Sequence, residues 1–170
     1  RGLTRITHRV SEAGLVATLV PKSDSSAITT ATINAGGEIV EAEGRRFPFT
    51  GEDSITPDVL ETFPYEYAGR DAVVEISTDE FTAVCPYSGL PDFGSLTVRY
   101  RPGEACIELK SFKYYLTSYR NVGVYQEHAA NRVLDDLVRC CSPRWMEVVL
   151  DYRLRGGIHT VVTVEHGERR

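Results

Sequence analysis

The stretch Tyr125-Gln126-Glu127-His128-Ala129-Ala130-Asn131-Arg132-Val133-Leu134-Asp135-Asp136-Leu137-Val138-Arg139-Cys140-Cys141 decides how this chain is read. Its apolar residues fall at 125, 129, 130, 133, 134, 137, 138 and 141, a 3.6-residue period held over four turns. That pattern predicts a helix with one buried face. On its C-terminal side, Trp145 to Leu154 and Ile158 to Glu165 read as a closing hairpin through Arg155-Gly156-Gly157. On its N-terminal side, an aromatic-rich helix is expected from Lys110 to Tyr119. Before it, Ser95 to Tyr100 alternates and is expected to pair with Ala105 to Leu109 across Arg101-Pro102-Gly103-Glu104. Ala72 to Ser77 reads as a strand, and Phe81 to Cys85 leads into a loop with Pro86, Gly89 and Pro91. The order strand, strand, helix, helix, strand, strand predicts an α+β fold, an antiparallel sheet with two helices packed on one face.

Further upstream the text is strand and turn. Leu15 to Val20 is an apolar run closed by Pro21, and Thr29 to Asn34 is expected to pair with Glu38 to Ala42 through Gly36-Gly37. Ile55 to Glu61 reads as one or two helical turns stopped near Pro64, and the polar segment Gly51 to Pro57 is the expected junction. We expect a strand-rich extension over residues 1–54 and a single domain over 55–170.

Composition narrows the function classes. Of 170 residues, 42% are apolar and 25% charged, enough to fill a core, so a wholly disordered chain is excluded. A net charge of −5 argues against a nonspecific grip on nucleic acid, and no stretch approaches a membrane span. Arg1 in place of Met points to a cut or processed start, and no signal peptide is expected there. The four cysteines, 85, 106, 140 and 141, have neither a disulfide-framework pattern nor zinc-ligand spacing. They predict a reducing, cytoplasmic setting and no metal.

Three segments could carry chemistry. In Cys85-Pro86-Tyr87-Ser88-Gly89-Leu90-Pro91-Asp92-Phe93 a thiol and a carboxylate share a turn-rich loop, as a nucleophile and its proton partner would. They equally fit a buried thiol beside a turn-forming Asp. In Glu108-Leu109-Lys110-Ser111-Phe112-Lys113-Tyr114-Tyr115, Lys110 and Lys113 are helical neighbours and, with Arg120, suit either phosphate groups or a solvated basic face. Glu127, at the start of the long helix, suits either the helix dipole or a ligand's N–H groups. The chain has no G-x-G-x-x-G.

Together these segments, with Tyr119-Arg120-Asn121 and the closing Arg155-Gly156-Gly157-Ile158, resemble the nitrile reductase family that acts on 7-cyano-7-deazaguanine. The resemblance runs from about Ile55 to His166 and fits the short, single-module branch. It implies the tunnelling fold shared with GTP cyclohydrolase I, a homo-oligomeric ring (a pentamer-based decamer) with sites between subunits, and NADPH as cofactor. It further implies four-electron reduction of the nitrile to 7-aminomethyl-7-deazaguanine in queuosine biosynthesis, with Cys85 as nucleophile forming a thioimide and Asp92 as proton donor. Ile107, Glu108, Leu109, Gln126 and Glu127 are then expected at the base, and Lys110, Ser111, Lys113 and Arg120 at the cofactor. The family usually carries His where this chain has Gln126. A sister transferase that adds ammonia to the thioimide without NADPH, and a ring protein that only binds a base, are the alternatives.

Overall fold

A computed structural model describes the backbone of residues 6–11, 14–19, 29–32, 40–42 and 45–169, and the side chains of 47–169. The strands are β1 (Ile6–Ser11), β2 (Gly14–Leu19), β3 (Thr29–Thr32), β4 (Val40–Ala42), β5 (Arg45–Phe47), β6 (Thr62–Pro64), β7 (Val74–Val84), β8 (Pro91–Arg101), β9 (Ala105–Ile107), β10 (Trp145–Tyr152) and β11 (Val161–Gly167). The helices are α1 (Leu109–Thr117) and α2 (Gln126–Cys141). The main sheet is antiparallel in the order β11-β10-β8-β7, and α2 packs against β10 and β11. The expected strand–strand–helix–helix–strand–strand order therefore holds.

The core follows from two periodicities. On β8 every second residue from Asp92 through Gly94, Leu96, Val98 and Tyr100 is buried. On α2 the buried face is Ala129, Ala130, Val133, Leu134, Leu137 and Cys141, all in the predicted pattern, while Val138 is half-buried, Tyr125 is exposed ahead of the helix, and a buried Asp136 joins the face. Ser142, at φ 43°, ends the helix, and Pro143 follows. Truncating a residue such as Leu137, fully buried, is expected to cost about 2–5 kcal/mol.

Several expectations are corrected. Ala105–Ile107 does not pair with β8 but with β6, because β8 already has β7 on one edge and β10 on the other. The strand expected at 72–77 runs on through Phe81 to Val84 as β7, with an irregularity between Thr78 and Phe81 that keeps Asp79 and Glu80 outward. The helical turns expected over 55–61 are 3-10 turns at Glu52–Ser54 and Pro57–Val59, with Ile55 buried in the core and Leu60 packed against it. Pro64 lies in β6, whose residues are exposed, where a missing donor is tolerated. The first helix runs Leu109–Thr117 and then tightens into a 3-10 turn at Ser118–Asn121.

Near the N-terminus, β3 pairs with β2, and β4 with β5, rather than Thr29–Asn34 with Glu38–Ala42. The β4–β5 partners are the nearer in sequence, which lowers the loop-closure cost. Pro21 and the Gly36-Gly37 turn lie outside the described residues. Thr50 is bonded to the domain: its N–H donates to Asn121 O at 2.8 Å, and Gly123 N–H donates to Thr50 O at 2.8 Å. Phe49 lies so close to Gly123 that a Cβ there would meet its ring at 2.3 Å.

Candidate active site

Cys85 follows the last residue of β7, and its backbone closes the turn that leads to β8. Its carbonyl accepts from Ser88 N–H at 3.2 Å and Gly89 N–H at 2.8 Å, while its own N–H donates to Leu90 O at 2.9 Å. Gly89 has φ 67°, the left-handed backbone this tight return requires. Asp92 is not in that loop, as the sequence reading had it. It is the second residue of β8, opposite Ala83, and the strand's alternation turns its carboxylate into the core at 5% exposure.

A buried carboxylate needs a partner, and it comes from the β10–β11 connection. One guanidinium nitrogen of Arg155 donates to Asp92 Oδ1 and another to Ser88 Oγ. The Arg155 cation is also near the Cys85 thiol and favours its ionised form. Partial burial pushes that thiol's pKa up. Ser88, Arg155 and the Tyr87 backbone outweigh it, and the net shift is downward. A geometric lock fixes Arg155 in place. Gly156 and Gly157 have φ of 58° and 80°, and Arg155 and Ile158 exchange two backbone hydrogen bonds of 3.0 Å across them. Sequence reading took Arg155 only as part of a turn.

The N-terminus of α2 meets the same corner. Val84 and Val124 are joined by a 3.0 Å bond from the latter's N–H, which brings Gln126 and Glu127 beside the end of β7. Tyr152 donates its hydroxyl to Gln126 O at 3.4 Å. Burial raises the Tyr152 pKa, and the charges of Asp92 and Glu127 raise it further, so its hydroxyl stays a donor. Gln126 lines a cavity of about 340 Å³ with Arg153, Arg155, Gly156, Ile158 and Thr160. Glu127 is exposed, and the His128 ring lies against Tyr125 at 5.8 Å.

The remaining residues sit elsewhere. Ile107 is buried, and its N–H donates to Tyr100 Oη at 3.1 Å. Glu108 caps α1: its carboxylate accepts from Lys110 N–H at 2.9 Å and Ser111 N–H at 2.7 Å. Ser111 is buried, donates to Glu108 O at 2.8 Å and accepts from Glu61 N–H at 2.9 Å. A cleft of about 230 Å³ beside α1 is lined by Ile76, Glu80, Leu109, Phe112, Lys113 and Arg120 among others. Lys110 extends over the Tyr114 ring at 5.9 Å, and Lys113 Nζ lies 3.5 Å from Glu80. The cleft's mixture of apolar wall and cations fits a phosphate-bearing ligand end. The β9–α1 junction follows the Arg101 end of β8, whereas Asp92 is at the other. Ile107 is bonded to the side chain of Tyr100, which lies eight residues along β8 from Asp92, roughly 26 Å at about 3.3 Å per residue, while Leu109 reaches the cleft beside Ile76 and Thr78.

Known proteins with these features converge on one group. The sequence model of the family described as QueF-like protein matches residues 91–170. The NADPH-dependent 7-cyano-7-deazaguanine reductase of Caldicellulosiruptor bescii is 54% identical over 122 residues, covering 72% of this chain and 93% of that protein. The reductase of the same name from Caldanaerobacter subterraneus subsp. tengcongensis is 52% identical over 122 residues, 72% of this chain and 91% of that one. This chain belongs to the NADPH-dependent 7-cyano-7-deazaguanine reductase family. A crystal structure of the archaeosine synthase QueF-Like in the apo form is similar to it with a TM-score of 0.55 at 25% identity, covering 59% of this chain and 99% of that one. The fold of the reductase family member described here is thus the one expected. Among the described residues no group of His, Cys, Asp and Glu is placed to hold a metal ion, and no helix is long and apolar enough to cross a membrane.

Proposed function

We propose that this chain reduces the nitrile of 7-cyano-7-deazaguanine to the primary amine of 7-aminomethyl-7-deazaguanine, as a step toward queuosine in tRNA. The observation that carries the reading is the tie, through one guanidinium, between the buried carboxylate of Asp92 and Ser88 of the turn that Cys85 opens, with the Cys85 thiol held below its usual pKa. A nitrile carbon is electrophilic yet stable in water, so it calls for a strong nucleophile with a proton donor beside it. The Cys85 sulfur adds to that carbon to give a thioimide, and Asp92 passes the proton to the nitrogen that gains the electron pair. NADPH, when bound, supplies hydride, and the four electrons from nitrile to amine take two equivalents. Lys110, Lys113 and Arg120 would hold its phosphates, while Ser111, whose hydroxyl is engaged by the Glu61 N–H and the Glu108 carbonyl, keeps the helix start in place. Glu127 would accept from the amino and ring N–H groups of the base, beside Gln126.

Ile107, Glu108 and Leu109 would line the base pocket of a neighbouring subunit. The bond from Ile107 to Tyr100, eight residues along β8 from Asp92, supports a homo-oligomeric ring, a decamer of two pentamers, with each site made by two chains. We place the protein in the cytoplasm, acting on a free base without direct contact with nucleic acid or membrane. Residues 1–54 form an extension to the domain of 55–170, with Phe49 and Thr50 lying on that domain.

The test is covalent. Incubated with the nitrile base and no NADPH, the protein should gain the full mass of the base. Cys85→Ala should abolish the gain, and Cys140→Ala and Cys141→Ala should keep it. An adduct on Cys85→Ala would overturn the assignment. The likeness to an archaeosine synthase favours a second reading, in which ammonia adds to the thioimide. Amidine formed with ammonia while NADPH absorbance stays flat would establish it, and no adduct at all would leave a base-binding ring protein.

A further inference from the structure

We propose that Arg155 is a positioning residue for the covalent step, one guanidinium tying the turn that carries Cys85, through Ser88, to the carboxylate of Asp92. The proposal rests on the roles given to Cys85 and Asp92 above. Arg155 bonds two groups from two elements: Ser88 in the β7–β8 loop, whose N–H donates to the Cys85 carbonyl, and Asp92 on β8. A planar fork with several donors can make such contacts at once, which a single ammonium cannot. Its own backbone is set by the two-glycine turn, so the side chain reaches the corner from a rigid base. Asp92 is 5% exposed, and without Arg155 its charge would lie buried without an opposite charge among the groups bonded to it.

The arrangement balances the chemistry. As the sulfur bonds to the nitrile carbon, the thiol proton moves to Asp92 and then to nitrogen, which has received the π electron pair. Nothing is oxidised or reduced, and Arg155 keeps its proton throughout. The single anion of the pair, thiolate or carboxylate, stays beside the same cation at each stage. The other groups facing this corner include Ser88 and the Tyr87 backbone from the loop, Tyr152 from β10, Gln126 and Glu127 from the start of α2, and Arg153, which lines the cavity beside Arg155. Arg155 is the one cation paired with Asp92 among the described residues.

The experiment measures alkylation of Cys85 by iodoacetamide against pH in the substrate-free protein, by peptide mass spectrometry. The wild-type midpoint should lie below that of an ordinary thiol, about 8.5. Arg155→Ala should move it upward, and Arg155→Lys should move it less, since the charge is kept and the fork is lost. The rate of adduct formation with the nitrile base should fall about tenfold in Arg155→Ala, the equivalent of one charge-assisted hydrogen bond. If Arg155→Ala does not fold, Arg155→Gln reads the same two quantities. An unchanged midpoint with an unchanged adduct rate in either folded neutral variant overturns the proposal. A shifted midpoint in a protein whose wild type forms no nitrile adduct would retain the Arg155–Cys85 coupling and reject the nitrile chemistry.

Discussion

Tyr115 donates its hydroxyl to the Asp136 carboxylate at 2.8 Å, joining α1 to α2 through a fully buried charge. Tyr119 Oη lies 2.8 Å from Tyr115 Oη, and Arg132 Nε and Arg139 Nη1 reach the same carboxylate at 2.7 and 3.1 Å. The segment Glu108 to Tyr115 therefore has two faces. Ser111, Phe112 and Tyr115 are buried, while Lys110, Lys113 and Tyr114 are exposed. Tyr115→Phe should lower stability by about 1–3 kcal/mol, because Asp136 loses a buried donor. The Michaelis constant for NADPH should not move. Urea unfolding and steady-state kinetics together check both halves.

The exposed face gives the opposite expectation. Lys113→Ala or Arg120→Ala should raise the Michaelis constant for NADPH about tenfold, with turnover little changed, as loss of uniform ground-state and transition-state binding predicts. Raising ionic strength should weaken wild-type NADPH binding in the same direction. Unchanged constants in both variants would make these cations a solvated face.

The cap on α1 has its own pH signature. Hydrogen bonds from the Lys110 and Ser111 backbone N–H groups hold the Glu108 carboxyl below its usual pKa, against a smaller opposing effect of burial. A depressed carboxylate contributes stability above its unfolded-state pKa and loses it as pH falls through the folded-state value. Wild-type stability should therefore drop more steeply on acidification than that of Glu108→Gln. Urea midpoints taken from neutral pH downward give the comparison, and parallel curves would reject the contribution.

The two glycines after Arg155 can be tested separately from their surroundings. No atom lies within 4 Å of a Cβ built at Gly156 or Gly157, so only backbone strain opposes a side chain there. Gly157→Ala should cost about 1–2 kcal/mol for the left-handed conformation. It should also slow adduct formation with the nitrile base by displacing Arg155. Gly156→Asn should be tolerated, since Asn accepts this backbone. Gly69→Ala is the control, because it meets open space without a left-handed φ. Equal adduct rates in all three variants would separate the turn from the site.

Much of this was legible in the sequence, and the failures have physical causes. The period of α2 and the alternation of β8 are set by which residues meet the core, so they are visible in the order of residues. The same alternation, followed back from Tyr100 through Val98 and Leu96, would have put Asp92 inside β8 instead of in a loop. The false hairpin at 101–104 arose because turn residues report local geometry only. They do not tell that both edges of β8 are taken by β7 and β10. Arg155 was missed for a similar reason: its partner Asp92 is 63 positions away. The available signal was an arginine held before two glycines in a hairpin, beside a loop already singled out for its thiol and carboxylate.

Gln126 is where this chain leaves its family's pattern, and its position allows the two possible roles of a His there to be told apart. Half-buried at the first turn of α2, it lines the cavity of about 340 Å³ with Arg155 and Gly156, and its carbonyl receives the Tyr152 hydroxyl. Its amide has a donor and an acceptor, as a neutral imidazole has, but does not titrate near neutral pH. If the position serves to orient the base, Gln126 suffices, with Asp92 handling the proton alone. His128 does not replace it, since its ring lies against Tyr125. Gln126→Ala should then lose about 1–3 kcal/mol of transition-state stabilisation, read from kcat/KM. Gln126→His should stay within a few-fold of wild type and add no titration. If the position serves proton transfer, the same change should raise turnover by about 10²–10⁴-fold and introduce a new ionisation near neutral pH. The corner already holds a carboxylate on an arginine fork, so orientation is the expected role, and a pH–rate profile of Gln126→His with that gain would reject it.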